Sequence, residues 1–133
     1  MSNIKVKKFG GTSVGSVERI QAIADRLIRD SDPSVGQVVV VSAMGDSTDT
    51  LVDLAQQVTT TPDAREYDAL VSTGENISAA LLAMCLLAKG QPAISLTGSQ
   101  AGIQTEDFYT RARIINVTPK RLKEELAKGK IVI

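Results

Sequence analysis

Short aliphatic runs alternate along the chain with longer segments of helical periodicity, and this alternation limits the folds that the sequence can adopt. Strands separated by helices are joined by crossover connections, which are right-handed and build a mainly parallel sheet covered on both faces. The predicted strands are residues 4–9, 38–41, 93–96 and 131–133. We expect one α/β domain, because 133 residues suit a single domain and no linker or repeat divides them.

Five helices are predicted from apolar spacing and from end signals. Ser16 and Asp63 are the predicted caps of the first and third helices, and Thr118 precedes the last, with Pro119 at its first position. An apolar stripe over residues 51–58 predicts one buried face for the second helix.

The fourth helix, residues 75–89, is apolar almost all round and is therefore predicted to be the most buried. We expect Leu81, Met84 and Cys85 to be nearly inaccessible. Between residues 103–105 and 112–117 the pattern predicts a hairpin.

Composition excludes several kinds of chemistry. Fifteen basic and fifteen acidic residues leave no net charge to attract nucleic acid or anionic lipid, so neither a nucleic acid nor a membrane is an expected partner. Histidine is absent, which excludes imidazole catalysis, and the lone Cys85 excludes an intrachain disulfide. The longest apolar run, residues 79–88, is too short to span a bilayer, and the first residues do not have a signal-peptide pattern. A cytoplasmic location is expected.

The turn at residues 10–15 is the most informative segment, because a strand runs through it into a helix. Successive glycines at Gly10 and Gly11 let backbone amides approach an anion, and Lys8 supplies a positive charge at the end of the strand. This pattern is typical of a phosphate cradle. A Gly-Gly turn that serves packing alone, with Lys8 as a solvated surface residue, remains the alternative.

Three further turns carry polar residues at strand ends or helix starts. Residues 41–49 contain Ser42 and Thr48, which serve either helix capping or ligand recognition. Glu75 lies at the start of the fourth helix, where a carboxylate interacts favourably with the helix dipole. The alternative is that Glu75 binds the ammonium group of a small substrate. The turn at residues 97–102 is glycine-rich and serves a hairpin or a ligand.

Four motifs in order resemble those of aspartate kinases in the amino-acid kinase superfamily. They are VKKFGGTS at residues 6–13, VSAMG at 41–45, STGE at 72–75 and SLTGSQAG at 95–102. The resemblance implies a three-layer α/β/α sandwich that transfers the γ-phosphate of ATP to the side-chain carboxylate of L-aspartate, the first step of lysine, threonine and methionine biosynthesis.

The resemblance also implies roles for single residues. Lys8 is similar to the catalytic lysine that neutralises the transferring phosphoryl group. Gly10, Gly11, Thr12 and Ser13 correspond to the binding segment for the ATP phosphates, with Mg²⁺ carried by the nucleotide and no metal site on the protein.

The implied substrate-binding residues are Ser42, Thr48 and Glu75, which hold aspartate. No residue is needed as nucleophile, because the aspartate carboxylate attacks. Residues 108–111 depart from the family's usual turn, so no role is carried over to them.

Family members extend well beyond the strand at residues 131–133. The chain is therefore expected to be the N-terminal portion of an amino-acid kinase domain, residues 1–133, with the second half and the regulatory domains absent, and to be inactive on its own. A non-catalytic module that pairs with a partner chain through residues 131–133 is the alternative from another class. A glutamate or acetylglutamate kinase and a homo-oligomer also remain open.

Overall fold

A computed structural model describes residues 3–133 and contains a four-stranded parallel sheet. The strands in chain order are β1 (Asn3–Phe9), β2 (Val35–Val41), β3 (Ala93–Ile94), β4 (Ile103–Thr105), β5 (Ile114–Val117) and β6 (Ile131–Val132). In space the sheet runs β1-β2-β6-β3, while β4 and β5 form a separate antiparallel hairpin. The parallel sheet and the hairpin are both as predicted.

The helices are α1 (Val17–Arg29), α2 (Ser47–Val58), α3 (Ala64–Val71), α4 (Thr73–Ala88) and α5 (Lys120–Ala127). Ser16 caps α1, because its hydroxyl accepts the amide of Arg19 at 3.3 Å, and Asp63 caps α3 through the amides of Arg65 and Glu66. These two caps confirm the predicted helix starts.

The main core lies between one face of the sheet and the helices α1 and α4. Leu27 of α1 and Leu82 and Leu86 of α4 are fully buried in it. Val39 of β2 packs in the same cluster. Each such side chain contributes about 1.5 to 3 kcal/mol of burial free energy. Packing on this face holds the strands in place, and the candidate site lies at their ends.

Helix α5 covers the opposite face. The connection from β3 back to β6 reverses the direction of travel across the sheet, and a right-handed crossover then places its helix on the other side. Leu126 is 2% exposed there, whereas Val6 of β1 is 64% exposed and Ile4, which lines a small cavity with Leu126, is 45% exposed. The order helix, sheet, helix confirms the predicted three-layer α/β fold.

The position of β6 corrects the association alternative. That alternative needs residues 131–133 at a free sheet edge, but β6 lies in the interior of the sheet, pairing with Val38 of β2 and with β3. The backbone of Ile133 also exchanges hydrogen bonds with Ile94 and Leu96 at 2.9 and 2.8 Å. The edges are β1 and β3, so these residues offer no edge for a partner strand.

Burial along α4 is less uniform than its composition predicts. Met84 is 64% exposed and Leu81 and Cys85 are only partly buried, so the expectation that all three are nearly inaccessible was wrong. The buried face follows the smaller residues Ser78, Ala79 and Ala83, together with the leucines Leu82 and Leu86, because small side chains let α4 approach the sheet closely.

Two other helix predictions need correction. In the stripe predicted on α2 only Ala55 is buried, and Val58 is 86% exposed, because this helix packs mainly against α3 and α4 and not against the sheet. Helix α5 begins at Lys120 with Pro119 outside it, and Thr118 does not cap it. The backbone of Thr118 is instead bonded to Gly102, and its hydroxyl accepts from Asn116.

The helical stretch over residues 64–88 is long and apolar enough to cross a bilayer by composition alone. A third of its most apolar window is buried within the protein, and core helices have the same composition. The length and composition of this stretch therefore do not distinguish a membrane-spanning helix from a core helix.

Candidate active site

The turn after β1 presents backbone donors without acceptors. In the part of the chain that the structure describes, the amides of Gly10, Gly11 and Thr12 donate to no protein atom. A Cβ added at Gly10 would meet nothing within 4 Å, so open space lies beside this position. Consecutive free amides facing open space form a concavity suited to an anion.

The turn is held in place by close contact between glycine backbones. A Cβ at Gly11 would lie 3.2 Å from the carbonyl oxygen of Ala43, and one at Gly15 would lie 3.2 Å from that of Thr12. The amide of Gly45 donates to the carbonyl of Gly11 at 3.3 Å. A side chain at Gly11 would make an unusually tight contact with the backbone of Ala43, so the turns after β1 and β2 pack closely together.

The amino end of α1 is already occupied by the chain's own groups. Ser16 accepts one amide there, and hydrogen bonds from its own backbone and from Ser16 lower the pKa of Glu18. The longest run of free amides at this edge of the described chain is therefore in the turn, at residues 10–12.

Lys8 lies at the end of β1 with an exposed side chain and no carboxylate within 4.0 Å in the described chain. It stands in register with Val40 of β2, and residues in register share a face in a parallel sheet. Phe9, its neighbour, packs against the core on the opposite face. Lys8 thus faces away from α1 and α4, beside the free amides.

Ser42 and Thr48 follow β2. The amide of Ser42 donates to the carbonyl of Phe9 at 3.1 Å, which fixes it beside the first turn. Neither hydroxyl makes a hydrogen bond to another residue in the 3–133 range. Asp46, at the start of α2, makes no side-chain cap bond, so capping does not account for this polar segment.

Glu75 stands in the first turn of α4, but this is not a free helix end. Ser72 is helical, with φ −63° and ψ −14°, so α3 continues into α4 with little interruption. The dipole explanation for a carboxylate at this position therefore does not hold. Among the described residues Glu75 has no salt-bridge partner, and Gly74 beside it packs against Ala43, where an added Cβ would lie only 2.9 Å away.

A mostly apolar groove of about 320 Å³ lies at the carboxyl ends of β2 and β6. Glu75 and Asn76 contribute its polar side chains from α4, and Thr97 and Gly98 close it from the turn after β3. Lys8 is one strand away, about 4.8 Å from its in-register neighbour Val40, which lines the groove. Asn76 was missed in the sequence, although its position beside Glu75 was a usable signal.

The turn at residues 97–102 differs from the first turn. The amides of Ala101, Gly102 and Ile103 all donate to carbonyls within the turn, at 2.9 to 3.0 Å. The side chain of Gln100 accepts the amide of Thr97, and the hydroxyl of Thr97 accepts the amide of Gln100. These bonds connect the turn to the hairpin that begins at Ile103, and Thr97 and Gly98 also line the groove, so both alternatives left open by the sequence stay open.

The hairpin tip, residues 106–113, is tied to α3. The amide of Thr110 donates to Asp68 at 2.7 Å, and Thr110 has a φ of +65°, an uncommon conformation for a β-branched residue. This long-range tie was not visible in the sequence, because nothing in the pattern relates positions 42 residues apart.

In residues 3–133 no three carboxylate or thiol side chains converge on a space that could hold a metal ion. The groups along this edge of the sheet are amides, hydroxyls, the Glu75 carboxylate of α4 and the Lys8 ammonium, which lies on the face turned away from α4. Such a set suits a phosphate ester and a small amino acid better than it suits a metal.

Comparison with known proteins identifies the family. A model of the amino acid kinase family matches residues 3–133. The aspartokinase of Geobacillus stearothermophilus is 55% identical over 130 residues, which are 98% of this chain and 32% of that protein. Aspartokinase 2 of Bacillus subtilis strain 168 is 52% identical over 128 residues, 96% of this chain and 31% of that protein. The chain thus spans about a third of the length of these curated relatives.

Solved structures agree. Aspartate kinase from Synechocystis superposes with a TM-score of 0.82 at 53% identity, over 97% of this chain and 21% of that one. Aspartokinase III of Escherichia coli, solved in complex with aspartate and ADP, gives a TM-score of 0.80 at 21% identity, over 98% of this chain and 40% of that one, and supports the fold alone. By sequence and by fold, the chain belongs to the amino acid kinase family.

Proposed function

We propose that residues 1–133 form the amino-terminal portion of an aspartate kinase, which carries the aspartate site and part of the phosphate site. The observation that carries this proposal is the turn whose three amides, within residues 3–133, are free beside a Lys8 that has no salt-bridge partner there. Relatives that are named aspartokinases and exceed 50% identity over nearly the whole chain support the substrate class.

The reaction asks mainly for positioning and charge. The side-chain carboxylate of aspartate attacks the γ-phosphorus of ATP, a new P–O bond forms, the bond to the β-phosphate oxygen breaks, and ADP leaves. The Lys8 ammonium and the amides of Gly10 and Gly11 stabilise the phosphoryl oxygens as charge redistributes. A carboxylate is already ionised at neutral pH, so this step needs no general base.

ATP is the proposed co-substrate, and Mg²⁺ enters bound to its phosphates. Thr12 and Ser13 extend the binding segment beyond the glycines: Thr12 offers a free amide, and the hydroxyls of both residues make no hydrogen bond within residues 3–133. These donors bind the nucleotide phosphates, whereas the adenine pocket lies in the remainder of an aspartokinase-length chain.

Glu75, Ser42 and Thr48 hold aspartate in this proposal. The Glu75 carboxylate binds the substrate ammonium, and the hydroxyls of Ser42 and Thr48 donate to substrate oxygens. All three have unused hydrogen-bonding groups in the described chain, and Glu75 lines the groove at the strand ends. A cytoplasmic location and a role in lysine, threonine and methionine biosynthesis follow from this activity.

The test uses an aspartokinase-length polypeptide that carries residues 1–133 as its first third. We expect Lys8→Ala to lower kcat by about 10²- to 10³-fold with a small change in the KM for aspartate, because its charge matters most in the transition state. Glu75→Ala should chiefly raise the KM for aspartate. The measurement is aspartate-dependent ADP release in a coupled assay. Lys5→Ala, an exposed lysine of the same strand, is the matched control.

Equal effects of Lys8→Ala and Glu75→Ala on kcat and KM would contradict these roles. Phosphorylation of glutamate or acetylglutamate in preference to aspartate would favour the other amino-acid kinases.

The 133-residue polypeptide alone should show no turnover. Its amides and Lys8 are open to water, where a unit-charge pair at 4 Å is worth about 1 kcal/mol, against roughly 4 kcal/mol at a protein surface. Turnover that exceeds that of a Lys8→Ala control would show that this portion suffices, for instance as a homo-oligomer that completes the site between copies.

A further inference from the structure

We propose that Arg19 is a positioning residue for the phosphate cradle, an inference that rests on the proposed function. Arg19 lies in the first turn of α1, and its guanidinium donates through Nη1 to the carbonyl oxygen of Thr12. None of the four motifs includes it, because it follows the glycine turn within a helix whose pattern only predicts burial and capping.

The hydrogen bonds of the turn divide donors from acceptors. The amides of Gly10, Gly11 and Thr12 are free, whereas all three of their carbonyls are engaged. The carbonyl of Gly10 accepts from Ser13 and Val14 at 2.9 and 3.2 Å, and that of Gly11 accepts from Gly45. The turn therefore offers hydrogen-bond donors to an anion, and its partially negative oxygens are occupied elsewhere.

Arg19 completes this division at Thr12. The Thr12 carbonyl has one other partner, the amide of Gly15, at a long 3.3 Å. Without the guanidinium, that oxygen would be held weakly and its peptide unit could rotate toward the bound phosphate, which a carbonyl oxygen repels. In the described chain Arg19 supplies the one side-chain hydrogen bond to the carbonyls of these three residues.

The guanidinium also places a fixed positive charge directly behind the turn. An added Cβ at Gly15 would lie 3.7 Å from Nη1, so the guanidinium lies against the backbone of the turn although Arg19 as a whole is exposed. No carboxylate lies within 4.0 Å of Arg19 among residues 3–133, so its charge is not neutralised locally. The engaged Thr12 carbonyl and the positive charge of Arg19 both favour binding of nucleotide phosphates at this turn, and neither acts on the amino-acid substrate.

The test compares variants in the aspartokinase-length polypeptide by the Kd for ADP and by steady-state kinetics. Arg19→Ala should weaken ADP binding and raise the KM for ATP by roughly 10-fold, as expected for loss of a charge-assisted hydrogen bond. The KM for aspartate should stay within about twofold and kcat should change little. Arg19→Lys should recover part of the ADP affinity, because it keeps the charge and one donor.

Arg26→Ala is the matched control, since Arg26 lies on the same helix and its exposed side chain pairs with Asp30. An ADP affinity of Arg19→Ala within about twofold of the parent would overturn the proposal, and so would equal rises in the KM for ATP and aspartate, which indicate a general structural defect. Gly10→Ala separates this failure from that of the proposed function. If Gly10→Ala weakens ADP binding and Arg19→Ala does not, only the role of Arg19 fails, whereas no effect of either variant refutes the cradle itself.

Discussion

Two glycine-rich turns follow strands of this sheet, at residues 10–15 and 97–102, and they look alike in sequence. Among the described residues, the first turn has three consecutive free amides, at residues 10–12, and their carbonyls are engaged. In the second turn only the amides of Gly98 and Ser99 are free, and those of residues 97 and 100–103 are bonded within the turn. Glycine content alone therefore does not distinguish a ligand cradle from a structural turn. The distinguishing property is which backbone groups the rest of the chain leaves unpaired.

The glycines themselves serve different needs. Gly10 has open space where a side chain would be, whereas a Cβ at Gly102 would lie 2.0 Å from the carbonyl oxygen of Thr118. Gly102 also has a φ of +90°, in the region that favours glycine. The second turn thus packs through Gly102 against the segment that leads into α5, while its Thr97 and Gly98 line the groove.

The largest expected effect is on stability at the second turn. Gly102→Ala should destabilise the 133-residue chain by about 3 kcal/mol or more, because both the backbone conformation and the space forbid a methyl group. Urea denaturation measures this. Gly98→Ala, whose added Cβ would meet only Ile103 at 4.0 Å, is the control and should stay within about 1 kcal/mol. Similar stabilities of the two variants would show that the second turn does not depend on glycine at position 102.

The next effect is on binding at the first turn. Gly10→Ala should leave the free energy of unfolding within about 1 kcal/mol but raise the Kd for ADP about 10-fold or more, because its methyl group enters the space that the free amides face. Titration calorimetry on the aspartokinase-length polypeptide gives the Kd. Ser99→Ala, in the second turn, is the control and should bind ADP as the parent does. Loss of stability without loss of ADP binding would reverse the assignment of the two turns.

The smallest effect concerns the far end of α5, the helix that follows the segment packed against Gly102. Glu125 is 8% exposed and accepts from Lys128 at 2.8 Å and from Lys130 at 2.6 Å. These hydrogen bonds lower the pKa of Glu125 from 4.5 to about 2. The ionised Glu125 carboxylate therefore stabilises the folded state fully above about pH 4.5, and this contribution is lost as the pH falls toward 2.

The stability difference between the parent and Glu125→Gln should consequently be largest near neutral pH and shrink as the pH falls from 4.5 toward 2. Urea denaturation of the 133-residue chain at a series of pH values measures it. Glu124 is an exposed neighbour whose Oε1 lies 4.0 Å from Nζ of Lys120. The stability difference between the parent and Glu124→Gln should therefore depend little on pH. A difference that grows on acidification would contradict the role of this ion pair.

Much of the fold was predictable because periodicity is a local property. The caps at Ser16 and Asp63 and the hairpin followed from residues close in sequence. The interior position of β6 did not, because strand order depends on contacts between residues far apart. Met84 was misjudged for a related reason: an apolar helix does not indicate which of its faces meets the sheet.

The candidate site was predictable in residue type and less so in arrangement. Motif order pointed to Lys8, Gly10 and Glu75, whose roles remain predictions. The free amides, the continuous helix before Glu75 and the bond from Arg19 to Thr12 required coordinates. Each depends on a partner outside the motif, so no motif could have revealed it.

The most direct test of the central claim is a crystal structure of the aspartokinase-length polypeptide with ADP and aspartate. We expect phosphate oxygens at about 2.7 to 3.2 Å from the amide nitrogens of Gly10, Gly11 and Thr12, with the turn at residues 97–102 unchanged in its internal hydrogen bonds. Phosphates bound elsewhere, with those three amides still free or facing only water, would contradict it.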